Sequence, residues 1–195
     1  SISAKEVYSS YVFPWDCVVL TRSDVVLKMA YIAWMTNDIR LREELCTYLP
    51  ALESYNRASY IGIVLARTES KVEQEYVLQS LGDRSADIRD EAYKVLSEMS
   101  LSPEQYQHIE ELLRFKYSEM RINAINLLMK QPEAQLAASI RRLLSDKNAE
   151  RRLAGLDMMK SIRNVDFLKD SYQKLLSTVR EIQKPNAKEK ILIES

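Results

Sequence analysis

The sequence predicts an all-α chain made of stacked, repeated helical hairpins, and three observations predict it. Glycine and proline are scarce, three and five in 195 residues, while the good helix formers Leu, Ala, Glu, Lys, Arg, Gln and Met dominate. Arg57, Arg89, Arg121 and Arg152 recur at intervals of 32, 32 and 31 residues. The same apolar columns accompany each arginine. Leu45, Val77, Ile109 and Ile140 stand twelve residues before, Leu49, Leu81, Leu113 and Leu144 eight before. Ile61, Tyr93, Ile125 and Leu156 follow at four, and Val64, Leu96, Leu128 and Met159 at seven. A period in this range, held in several columns at once, marks repeats that bury their faces on one another.

Residues 1–37 stand outside the columns. Tyr, Val, Phe and Trp crowd the first 21 positions, and Pro14 breaks any long helix there. Ser23 or Asp24 is placed to cap a helix running to about Met35, with Val26, Leu27, Ala30, Tyr31 and Trp34 as its apolar face. This atypical layer caps the stack or touches preceding repeats. The repeat array is expected over residues 38–183. Its first hairpin joins helices over 38–48 and 55–67, with Pro50 at the turn. The second joins 71–81 to 86–99, with Gly82 where a left-handed backbone closes a helix. The third opens with Ser102-Pro103-Glu104-Gln105, a capping-box sequence carrying proline at the first helical position. It runs to about Phe115, and its partner spans 118–130. The fourth starts at Pro132, runs to about Leu144, turns at Asp146-Lys147-Asn148 and continues to about Ile162. Tyr172 and Leu176 extend the upstream columns into a single fifth helix over 165–183, and Pro185 stops its partner. Residues 184–195 are left as a charged tail whose Ile191-Leu192-Ile193 run docks on the last layer or leads into further chain. The start without Met suggests a segment of a longer protein.

Counted from each arginine, positions three, four, six and seven later point inward. Position three is Tyr60, Ala92, Ala124 and Gly155, small in three of four repeats, which lets neighbouring helices approach closely. Position six is Ile63, Val95, Leu127 and Met158. Fully burying one such side chain contributes roughly 1.5–3 kcal/mol, so the stack rather than the single hairpin is the stable unit.

Asp83 and Asp146 stand six residues before Arg89 and Arg152. Aspartate, arginine six later, a small residue and then an apolar one resembles the second half of HEAT repeats, over about residues 38–162. The resemblance implies a right-handed α-α superhelix of about four to five HEAT-like hairpins. It also implies that Asp83, Arg89, Arg121, Asp146 and Arg152 form polar contacts between layers, rather than an anion-binding stripe. Ala51 and Phe115, at the other two aspartate positions, would interrupt that run. The Trp-Leu-Gly signature of tetratricopeptide repeats and the Thr-Pro-Leu-His signature of ankyrin repeats are both absent.

Lysine plus arginine balances aspartate plus glutamate, 28 against 28, which argues against a dedicated binder of nucleic-acid backbone. Cys17 and Cys46 form no CxxC and read as reduced thiols of a cytoplasmic protein. No run approaches the ~20 apolar residues of a membrane helix, so no membrane partner is expected. His108 has no HExxH or CxxC companion and the glycines are dispersed, so neither metal, cofactor nor catalytic constellation is expected.

By the same resemblance, the exposed side of the second helices is the concave binding surface. Its columns are Ala58, Asp90, Ile122 and Leu153, then Gly62, Lys94, Asn126 and Asp157, then Leu65, Ser97, Met129 and Lys160. A groove tracking nucleic acid would repeat Lys or Arg there; this mixture suits protein segments. The expected function is a protein-interaction scaffold, with Asp90, Lys94, Ile122, Asn126, Met129, Leu153 and Asp157 as partner-binding candidates. The alternative is a nucleic-acid-binding or DNA-repair protein. HEAT-like alkylpurine glycosylases use Trp and Asp on one concave helix, and Trp34 and Asp38 are four apart, although Thr36-Asn37 reads as a helix end.

Overall fold

The computed structural model describes residues 6–13, 16–116, 118–163, 165, 168–182 and 185–194, with side chains from residue 20 onward. Strands β1 (Glu6–Phe13) and β2 (Asp16–Thr21) form an antiparallel hairpin, Tyr8 opposite Leu20 and Tyr11 opposite Cys17. The β-branched and aromatic residues that set this segment outside the helical columns favour a strand. Pro14 falls between the strands, outside the described residues, as do the side chains of Trp15 and Cys17.

The remaining described elements are helical. Helix α1 (Arg22–Met35) begins with a capping box: Thr21 Oγ1 accepts from Asp24 N at 3.2 Å, and Asp24 Oδ2 accepts from Thr21 N at 2.8 Å. The cap is therefore Thr21, and Asp24 is its acidic partner inside the first turn. Val26, Ala30 and Ala33 are buried, while Tyr31 and Trp34 are 58% and 42% exposed. The inward stripe has helical spacing, but it is rotated one residue away from the large aromatics, and the two alanines supply its close approach.

The chain divides into two compact units, Ser1–Met99 and Ser100–Ser195. The first continues with α2 (Ile39–Leu45), a 3-10 turn at Leu49–Ala51, α3 (Ser54–Ile63), α4 (Lys71–Ser80) and α5 (Ala86–Glu98). Here α2 packs on α4, α3 on α5, and α4 pairs with α5. The second unit holds α6 (Pro103–Leu112), α7 (Ser118–Leu128), α8 (Glu133–Leu144), α9 (Ala149–Ile162), α10 (Lys169–Arg180) and α11 (Ala187–Glu194). Its α6 packs on α7 and α8 on α9, while α6 also meets α8, α8 meets α10, α7 meets α9 and α9 meets α11. From α2 to α5 and from α6 to α11, helices thus meet their second neighbours within each unit, while α1 packs on α2 and the 3-10 turn. The upstream columns form the core: Leu45, Leu49, Val77 and Leu81 in the first unit, Ile109, Leu113, Ile140 and Leu144 in the second, none more than 3% exposed.

Local chemistry explains several boundaries. The Ser102–Gln105 capping box is present at α6, with Pro103 in its first turn. Asn148 accepts from the amides of Glu150 and Arg151 to start α9. Gly155 meets α8 closely: a Cβ there would lie 3.1 Å from Leu143 Cβ and 3.2 Å from Leu144 Cδ2.

Three expectations are corrected. Gly82 does not take a left-handed backbone; among the described residues the positive φ belongs to Asn37, at 52°, in the link between α1 and α2. Ile63 is 65% exposed and Leu65 is fully buried, the reverse of their columns. Helix α3 buries Ala58 and Ile61, and Leu65 continues that face at helical spacing, which leaves Ile63 on the opposite side. The C-terminal segment is two helices, α10 and α11, rather than one helix with a tail. Asn186 Oδ1 accepts from Glu189 N at 2.9 Å and Glu189 Oε2 from Asn186 N at 2.6 Å, a capping box directly after Pro185. Among the described residues no helix is long and apolar enough to cross a membrane.

Candidate partner-binding surface

Within each unit, polar contacts between neighbouring helices fall into two sets, or seams. On the arginine column, Arg57 Nη2 lies 2.8 Å from Asp83 Oδ2 in the turn before α5. Arg121 pairs with Asp157 and lies 3.6 Å from Glu150, both on α9. Arg152 Nε donates to Glu189 on α11 at 2.7 Å. The aspartate six residues upstream meets Arg89 and Arg152 through its backbone carbonyl rather than its carboxylate. Arg89 Nη1 reaches the carbonyl oxygens of Asp83 and Arg84 (2.9 and 3.0 Å), and Arg152 Nη1 those of Asp146 and Lys147 (3.0 and 2.9 Å). The carboxylates are occupied elsewhere: Asp83 by Ser85 N and Arg57, Asp146 by Asn148 N and Arg151.

Sequence reasoning missed the second seam, which lies on the first helices of the hairpins. Arg42 on α2 holds Glu73 on α4 through two bonds, and Thr68 Oγ1 donates to the same carboxylate. Arg142 on α8 holds Glu110 on α6 at 3.1 and 2.7 Å, with Ser139 and Gln131 continuing the network to Leu128 O. Glu73 and Glu110 are 0% and 1% exposed. Their separations of 31 and 32 residues from these arginines equal the repeat period. That coincidence was available in the sequence, although the order reverses between the two pairs.

Tyr60 is buried near the Arg42–Glu73 pair and Tyr76 is half-buried near Arg57, and desolvation pushes both phenols up, Tyr76 to about 12. Burial likewise pushes the Cys46 thiol up to about 12. Tyr60 Oη is buried without a hydrogen-bond partner among the described residues. These groups are held in their neutral, unreactive forms. No group of three or more His, Cys, Asp or Glu among the described residues could hold a metal ion, and His108 is half-buried on α6.

In the first unit, a groove of about 530 Å³ opens between α3 and α5. Tyr55 and Ile63 line it, at 77% and 65% exposure, above buried Ala58. Asp87, Asp90, Glu91 and Lys94 of α5 form its other side. Lys94 Nζ donates to Glu91 Oε1 at 2.6 Å, which holds the ammonium above the ordinary lysine range. Gly62 leaves room for that carboxylate, since a Cβ there would stand 2.5 Å from Glu91 Oε2. The candidates Asp90 and Lys94 therefore share one groove with Tyr55 and Ile63, which were not singled out.

The second unit separates its candidates. On α7, Ile122 is 58% exposed and Asn126 is exposed, and Met129, just past its end, is half-buried. On α9, Leu153 is 2% exposed, so its place on a binding face is corrected. Helix α9 meets α7, α8, α10 and α11 and keeps little free side. Asp157 is engaged by Arg121. Ala58 and Leu65, placed on the same exposed columns, are also buried, at 6% and 0%. Trp34 and Asp38 share no helix: α1 ends at Met35, and Asp38 caps α2 by accepting from Leu41 N at 3.1 Å.

Residues 1–195 match, end to end, a protein family described as of unknown function, DUF5724. The chain belongs to that family. No curated protein and no solved structure matches it. For this DUF5724 chain, the functional reading rests on the groove and the seams themselves.

Proposed function

We infer that this DUF5724 chain is a HEAT-like interaction scaffold that binds a segment of a protein partner in the groove between α3 and α5. The HEAT-like reading is supported by helices that meet their second neighbours, and by the ion pairs Arg42–Glu73 and Arg142–Glu110, whose partners stand one repeat apart. One observation carries the binding reading: Tyr55 and Ile63 stand open to solvent at 77% and 65% on a helix whose opposite face is core. An extended or helical segment laid there would cover both side chains, and covering large apolar residues is what drives segment recognition. The carboxylates of the groove oppose nucleic-acid phosphate, which disfavours the repair-enzyme alternative.

Selection of a displayed random-peptide library on the whole chain tests this. The selected peptides should lose at least about tenfold in affinity against Ile63→Ser and Tyr55→Ala, as expected for central contacts of a small interface. Peptides that bind both variants as tightly as the parent would place the surface elsewhere.

A further inference from the structure

We propose that the occupant of the α3–α5 groove is a basic segment, an arginine or lysine followed by an apolar residue; this rests on the segment-binding reading above. The groove carries three carboxylates, Asp87, Asp90 and Glu91, against one cation, Lys94. That cation is already committed to Glu91 at 2.6 Å. Asp87 and Asp90 are exposed and form no ion pair among the described residues. The arginines of the same helices are turned away, Arg57 to Asp83 at 2.8 Å and Arg89 to carbonyl oxygens of its own turn. Uncompensated negative charge therefore faces Tyr55 and Ile63 across the groove.

A guanidinium entering there meets two carboxylates one helical turn apart and has the exposed Tyr55 ring to stack on. The apolar residue beside it covers Ile63. An acidic segment meets repulsion from the same carboxylates, so charge sets specificity while Ile63 and Tyr55 supply the contact area.

Fluorescence anisotropy on the whole chain, with a labelled peptide of repeated Arg-Leu-Ala units and its Gln-Leu-Ala and Glu-Leu-Ala counterparts, tests the proposal. The arginine peptide should bind at least about tenfold tighter than the glutamine one, and the preference should shrink as salt is raised. The double variant Asp87→Asn with Asp90→Asn should remove the preference while its thermal unfolding matches the parent. Equal binding of all three peptides, weakened alike by Ile63→Ser, overturns the basic-segment proposal and leaves segment binding standing. A preference that survives the double variant also overturns it. Failure of every peptide to bind, or indifference of binding to Ile63→Ser, defeats both.

Discussion

Arg42 and Glu73 form a two-bonded ion pair across 31 residues of sequence, Nε to Oε1 at 2.8 Å and Nη2 to Oε2 at 2.7 Å, with Glu73 wholly buried. The pair fastens α2 to α4. Removing the arginine strands a buried carboxylate, which costs about 3–5 kcal/mol in comparable sites. Arg42→Ala should therefore lower the urea-unfolding free energy by about 3 kcal/mol. The neighbouring exposed Arg40→Ala should change it by less than about 0.5 kcal/mol. Equal effects of the two substitutions would remove the pair from its structural role.

Arg152 fastens α11 through Glu189, which is 0% exposed and also closes the capping box with Asn186. Arg152→Ala should release α11 before it unfolds the second unit. Amide hydrogen exchange over residues 187–194 should accelerate while the amides of α8 keep their protection.

Cys46 and Tyr76 give the unit an alkaline limit. Burial lifts the thiol from 9.0 to about 12 and the phenol from 10.0 to about 12. Between those values the unfolded chain has already lost protons that the folded chain keeps. Fewer protons on the unfolded state mean that stability falls as pH rises from about 9 towards 12, and that these groups contribute no slope below it. Urea midpoints measured across this range should decline, and Cys46→Ala should decline less steeply. Iodoacetamide should react with folded Cys46 far more slowly than with a model thiol at mildly alkaline pH.

Tyr60 is 6% exposed, yet its hydroxyl has no hydrogen-bond partner among the described residues. Tyr60→Phe removes the unmade bond and keeps the ring. It should be neutral or stabilising by up to about 1 kcal/mol in thermal or urea unfolding, where loss of a satisfied hydroxyl would destabilise by a similar amount.

Ile122 and Leu153 occupy one sequence column and opposite environments, 58% and 2% exposed. Ile122→Glu should leave stability within about 0.5 kcal/mol, whereas Leu153→Glu should cost more than about 3 kcal/mol by burying a charge. Circular dichroism melts separate the two directly.

The upstream columns were legible because their members share the inward face of the first helices, out to the helix ends: Leu45, Val77, Ile109 and Ile140 are all core. Legibility failed where a helix turns another face inward or gains neighbours. Ile63 and Leu65 exchanged places because the inward face of α3 runs through Ala58, Ile61 and Leu65, one residue round from the expected columns. Leu153 lost its free side because α9 is also covered by α11, a helix hidden in the sequence behind Pro185 and started by an Asn186–Glu189 box. Hydrophobic periodicity alone could not separate Tyr31 and Trp34 from core, since two alanines set the inward stripe of α1 one residue away. Of the candidate site, Asp90 and Lys94 were found by their column, while Tyr55 lies outside every column and Ile63 had been assigned to the core.

The most direct test of the central claim is amide chemical-shift mapping of the whole chain with a peptide selected from the displayed library. Shifts should concentrate on Tyr55, Ala58, Gly62 and Ile63 of α3 and on Asp87, Asp90 and Lys94 of α5. Shifts confined to α7, or to the exposed face of α1 around Tyr31 and Trp34, with α3 and α5 unmoved, would contradict it.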